Sequence, residues 1–201
     1  MRLFTRTGPA LLLGLALGGC SLGGMLGGGG KPPTTLVTLS PEAAEPAQMS
    51  HNVAAAQAVT ITVPAVPKEL TAVRVPVQLT PTDVQYVANL QLIDTPARLF
   101  QGLLSETVRR TTDRVVLNPA QSSLDPGLRV TGELQSFGYN ASKQEVVVTY
   151  DATLANAASN GVVTRRFSAS VPADGTAATV GPALNRASNE VAFDVAKWIG
   201  S

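Results

Sequence analysis

Apolar positions along this chain recur with two different periods. In "DTPARLFQGLLSETVRRTTD", residues 94–113, Leu99, Phe100, Leu103, Leu104 and Val108 fall on one side of a 3.6-residue helix. Asp94 or Thr95 can cap it, Pro96 suits its first turn, and Glu106 can pair with Arg110 four positions on. The same period returns in "TVGPALNRASNEVAFDVAKWIG", where Val180, Leu184, Ala187, Val191, Val195 and Trp198 form one stripe. Two main helices are therefore predicted, at about 95–111 and 179–199.

Elsewhere the alternation is strand-like. "TTLVTLSPE" (34–42) reads as a short strand closed by Pro41, and "AVTITVPAVP" (58–67) alternates until Pro64 and Pro67. "AVRVPVQLTPTDVQYVANLQL" (72–92) holds further extended pieces, punctuated by Pro76 and Pro81, which keep such strands at edges or bulges. "EAAEPAQMSHNVAAAQ" (42–57) is alanine-rich but broken by Pro46 and reads as a loop. "RVVL" (114–117) is followed by "LRVTGELQSFGYN", "QEVVVTYDATLAN" and "GVVTRRFSASVP", the last three joined by short turns. They predict an antiparallel meander. In the first of them the alternation runs through Leu128, Val130, Gly132, Leu134 and Ser136. Phe137 and Tyr139 share one face of their strand, one of them free to meet a partner rather than the core. The whole is an α+β fold: a single domain, residues 35–201, with a mainly antiparallel sheet and both helices packed on one face.

The first twenty residues follow a different logic. Arg2 and Arg6 precede an apolar run from Ala10 to Leu17, then Gly18-Gly19, then Cys20, the chain's single cysteine. That is the order of a secretory signal. A spanning helix needs about 20 predominantly apolar residues. Here Gly23, Gly24 and Gly27 to Gly30 take over after Leu17, and each glycine weakens a helix by about 1 kcal/mol against alanine. Leu17-Gly18-Gly19-Cys20 resembles the bacterial lipobox, which implies cleavage before Cys20 and lipid attachment to its thiol and new amino group. Residues 1–19 are then a discarded signal peptide, and residues 20–34 a lipidated cysteine with a Gly/Pro-rich tether. Ser21, in place of aspartate, favours the outer membrane by resemblance to lipoprotein sorting in Gram-negative bacteria. The tether's "GGGGKPP" is no phosphate loop. Met25 stands at the first glycine position of that motif and Pro32 at its Ser/Thr position.

Composition narrows the chemistry. Removing residues 1–19 takes away Arg2 and Arg6, leaving 13 of the 15 basic residues against 14 acidic ones, so no basic excess favours nucleic acid. At 44% hydrophobic and 14% charged residues the chain is globular. His51 is the single histidine and has no cysteine or clustered carboxylate near it in sequence. Three or four ligands make a metal site, so none is expected, and a Ser-His-Asp or Cys-His nucleophile is equally unsupported. Asp83, Asp94, Glu106, Asp113, Asp125 and Glu133 are scattered like a solvated surface. The pairs Arg109-Arg110 and Arg165-Arg166 read as exposed charge, or as contacts to anionic headgroups or an acidic partner. Trp198, on the apolar stripe, reads as core. No catalytic residue or cofactor is predicted, and the chain reads as a binding or assembly component.

Four segments carry a family resemblance. "VRVPVQL" leads into "QYVANLQLIDTPARLFQGLLSETV". "LRVTGELQSF" and "GVVTRRFSASVP" follow, and the last helix ends in "VAKWI". In order and spacing the chain resembles the ABC-type transport auxiliary lipoprotein family, which includes paraquat-inducible protein C. Two positions depart from its pattern: Leu92 where tryptophan is usual, and Gly138 where an acidic residue is common. The resemblance implies a non-catalytic, outer-membrane-anchored periplasmic component of an ABC-type system. The partners it implies are a permease, an ATPase and a mammalian-cell-entry (MCE) protein, with further copies of the chain in a homo-oligomer. The implied cargo is phospholipid or another hydrophobic molecule. A lipoprotein regulator or assembly factor of another envelope machine is the alternative.

Overall fold

The structure, a computed structural model, describes residues 36–45, 58–118, 127–156 and 161–200. In chain order its elements are β1 (Val59–Ile61), β2 (Arg74–Gln78), β3 (Val84–Gln91), α1 (Pro96–Thr111) and β4 (Val116–Leu117). Then come β5 (Leu128–Asn140), β6 (Glu145–Asn156), β7 (Gly161–Pro172) and α2 (Ala177–Gly200). Both predicted helices are present, as is the antiparallel meander, now β5–β6–β7.

Among the described residues the strands form one seven-stranded sheet built around β5. One edge of β5 pairs with β6 along its whole length, from Leu128↔Asn156 to Asn140↔Glu145, and β6 pairs in turn with β7. The opposite edge is shared end to end by β1 and β2, both parallel to β5, with a single bridge at Ala65↔Glu133 between them. Pro64 and Pro67 flank that bridge; proline has no N–H for a ladder, so one continuous strand there is excluded. The sheet is therefore mixed, its long ladders antiparallel and its short ones parallel. Of the predicted strand 34–42, residues 36–42 are described, and they contribute one bridge, Val37↔Leu92, in place of a strand.

Both helices lie on one face. Tyr150 and Phe167 are register partners on β6 and β7. Phe100 of α1 meets Tyr150 at 5.0 Å between ring centroids, and Trp198 of α2 meets Phe167 at 5.5 Å. The helical stripe buries Phe100, Leu103, Leu104 and Val108 from α1 and Val180, Leu184, Ala187, Val191 and Val195 from α2. Leu99 and Trp198 are partly buried against it. At α1's start Thr95 is the cap residue, and Asp94 accepts the Thr95 N–H at 2.7 Å.

β5 departs from simple alternation. Its pairing with β6 shifts between Leu134 and Ser136, a β-bulge that inserts Gln135. The extra residue moves the following side chains to the other face. Phe137 and Tyr139 consequently join Leu134 in the core, 1% and 7% exposed, so neither projects from the strand as an exposed side chain.

Candidate functional site

Cys20 and His51 lie outside the described residues, as do Asp125 and the proposed boundaries at 19/20 and 34/35. What the structure describes is where the chain joins the domain. Val37 hydrogen-bonds with β3 on both sides: its N–H donates to Gln91 O and its carbonyl accepts the Ile93 N–H, each at 2.9 Å. From there residues 38–45 cross onto α2, held by two asparagines one helical turn apart. The Asn189 Oδ1 accepts the Glu42 N–H at 2.8 Å, and its Nδ2 donates to Ser40 O at 2.9 Å. The Asn185 Oδ1 accepts the Ser40 N–H at 2.8 Å, and its Nδ2 donates to Glu42 Oε1 at 3.0 Å. An amide side chain presents an acceptor and a donor together, so each asparagine grips the strap at two points. The strap ends where Arg110 Nη1 donates to Ala43 O at 2.9 Å.

The arginine pairs are resolved individually. Arg110 and Arg109 both bond Glu106, at 2.8 and 3.2 Å, and hold its carboxyl below the usual range, with Arg110 the larger cause. Strand alternation splits Arg165 from Arg166. Arg166 lies on the sheet face away from the helices and forks onto Asp151 through Nε and Nη2, both at 2.6 Å. Arg165 points to the helix side, stacks 5.2 Å above the Phe167 ring, and has no carboxylate partner among the described residues. The outer face around Arg166 is small and polar, with Thr149–Ser168 and Thr153–Thr164 hydroxyl pairs at 2.8 and 2.9 Å.

Asp83, Asp94, Asp113 and Glu133 stay dispersed, and no group of three or more histidine, cysteine or carboxylate side chains converges among the described residues. A groove of about 170 Å³ lies where β2 meets β5, lined by Glu69, Gln78, Gln135, Ser136, Asn140 and Lys143, among others. Gly138 forms part of its floor. A Cβ at 138 would lie 2.5 Å from the Pro76 carbonyl oxygen. The departure from an acidic residue is therefore coupled to the close approach of β2. Leu92, the other departure, is a core residue, 1% exposed, whose N–H donates to Val73 O at 2.9 Å. The asparagine pair was not singled out in the sequence, though its four-residue spacing on the polar side of an amphipathic helix was there to be read.

The described residues thus form a mixed sheet with two helices on one face and an N-terminal strap laid across α2. The chain belongs to the ABC-type transport auxiliary lipoprotein component family, whose sequence profile matches residues 38–196. Protein XCC0632 from Xanthomonas campestris, a DUF330 protein, has a similar fold. It shows a TM-score of 0.64 and 15% identity, over 84% of this chain and 92% of that one. An uncharacterized protein of known structure matches with a TM-score of 0.60 and 15% identity, covering 71% of this chain and 92% of its own. No curated protein matches the chain significantly.

Proposed function

We propose that this protein is a lipid-anchored, non-catalytic component of an ABC-type, MCE-type transport system. It works on the periplasmic face of the outer membrane of a Gram-negative bacterium, and the system moves phospholipid or another hydrophobic molecule across the envelope. The observation that carries the reading is the family match over 38–196 with a lipobox-like Leu17-Gly18-Gly19-Cys20 directly upstream. Cys20 is the attachment point, residues 1–19 are removed, and residues 20–34 are the tether. Acyl chains contribute about 0.8 kcal/mol per buried methylene, so two or more on one residue hold durably. The strap on α2 supports the same reading, because it gives the tether a defined point of attachment to the domain.

Two measurements test this. Cys20→Ser is expected to abolish acylation and to move the protein from the outer-membrane to the soluble fraction; unchanged outer-membrane fractionation would refute the anchor. Purification of the tagged full-length protein from detergent-solubilised envelopes is expected to recover a permease, an ATPase and an MCE protein. Recovery of cell-wall enzymes with none of these would refute the transport role.

A further inference from the structure

The meander ends on an open edge. β7 pairs with β6 over all twelve of its residues, and among the described residues nothing pairs with its other side. Its two halves differ. Toward the C-terminal end Phe167 and Val171 are buried beneath α2. Toward the N-terminal end Val162 and Val163 are 67% and 57% exposed, on opposite faces of the strand.

The cause is the reach of α2. The helix returns antiparallel to β7, its Trp198 stands over Phe167, and Arg114 Nε caps its end by donating to Ile199 O at 2.8 Å. Residues 161–165 overhang beyond it. Along one row of the sheet the loss of cover is graded: Val130 on β5 is fully buried, Leu154 on β6 partly buried, and Val163 on β7 exposed. An exposed strand edge with apolar side chains and unpaired backbone groups is a template for another strand, and natural edges are blunted by proline or by charge. Between Gly161 and Phe167 there is no proline, and the two charges are Arg165 and Arg166, the latter spent on Asp151.

We propose that this half of β7, Gly161 to Phe167, receives an extended segment of a partner protein that adds to the sheet and sets a carboxylate against Arg165. Strand addition supplies affinity through main-chain hydrogen bonds and specificity through alternate side chains. Here the alternate positions are Val163, which asks for an apolar neighbour, and Arg165, whose guanidinium has no ion pair among the described residues and is aimed by its stack on Phe167. Asp194, one turn before Trp198 on α2, is the acidic residue nearest in sequence to that end of the helix, and it forms no ion pair with Arg165. A second copy of the chain fits poorly. Two β7 strands paired antiparallel about Thr164 would set Arg165 opposite Val163 and Arg166 opposite Val162, and β7 holds no carboxylate between Gly161 and Pro172 to meet Arg165. A lipid headgroup could meet Arg165 but offers no ladder of backbone donors and acceptors to the edge. The proposal goes beyond the transport role and does not depend on the cargo.

The test is photo-crosslinking in living cells, with the full-length protein carrying p-benzoylphenylalanine at Val163, at Val162 as a second site, and at Ser170 as a control outside the overhang. The expected result is one partner protein crosslinked from 163 and 162 but not from 170. Mass spectrometry of the crosslinked peptide should then place it in a segment with an Asp or Glu within two residues. Arg165→Glu is expected to cut the yield about tenfold with the protein level unchanged, and exchanging the mapped carboxylate for lysine should restore it. Crosslinking to a second copy of the chain, crosslinking to lipid alone, no crosslink, or a yield indifferent to Arg165→Glu would each overturn the proposal. A crosslink that maps as expected onto a protein unrelated to transport would uphold the open edge and count against the transport role.

Discussion

At Gly138 and Gly132 the space normally filled by a side chain is already occupied. A Cβ on Gly132 would lie 2.2 Å from the Asp151 carbonyl oxygen and 2.7 Å from the Tyr150 ring, and on Gly138 2.5 Å from the Pro76 oxygen. At both positions backbone blocks the added atom, so neither neighbour can yield cheaply. Gly138→Ala is expected to cost about 1–3 kcal/mol through displacement of β2, measured as a drop in the denaturant midpoint. Gly102 is the control: nothing lies within 4 Å of its Cβ position, and it sits inside α1. Gly102→Ala should stabilise by about 0.5–1 kcal/mol, since alanine loses less backbone entropy in a helix. Ser188 offers a third case. It is fully buried in α2 and its hydroxyl has no hydrogen-bond partner among the described residues. An unpaired buried polar group costs about 1–3 kcal/mol, so Ser188→Ala is expected to raise the midpoint.

Among the elements, the strap and β5 carry the most information. Asn189 is buried and bonds two backbone groups of the strap. At about 1 kcal/mol per hydrogen bond, Asn189→Ala should destabilise by about 1–3 kcal/mol and speed amide exchange in residues 38–43. The more exposed Asn185→Ala should have a smaller effect on both readouts. Neither the strap nor the parallel placement of β1 and β2 was legible in the sequence, because both depend on groups more than sixty residues apart. The helices and the meander were legible. Each is a local arrangement in which a run of apolar residues at one period meets a clear stop. The bulge marks the limit of that reading. Leu134 and Phe137 are three apart, a spacing that strict alternation assigns to opposite faces. One inserted residue, Gln135, places both in the core.

For the molecule as a whole, charge ties stability to acid. Asp174, just before α2, accepts hydrogen bonds from the Thr179 and Thr176 hydroxyls and the Thr176 N–H, which hold its carboxyl down at about 2. The hydrogen bond from Arg166 lowers Asp151, and the one from Arg110 lowers Glu106. A carboxyl more acidic in the folded than in the unfolded chain stabilises the fold above its unfolded value, and the contribution fades as pH falls through the folded one. Stability should therefore hold nearly flat between pH of about 5 and 9 and decline between about 4.5 and 2. Asp174→Asn is expected to flatten the lower part of that decline and to reduce stability at neutral pH, read as the denaturant midpoint against pH. Tyr150 is shifted the other way, raised by burial, and its hydroxyl donates to Thr131 O at 3.1 Å.

By itself the sequence determined the α+β class, the two helices, the meander and the family, since these rest on local periodicity and the order of short motifs. It is also the only basis for the proposed anchor at Cys20, a residue that lies beyond the described ones. Tertiary structure alone decided which aromatics are core, which of two adjacent arginines is spent on an ion pair, why position 138 is glycine, and where the sheet is left open. Those outcomes depend on register, on the closeness of distant backbone and on how far one helix reaches along a strand. No local pattern encodes such distances.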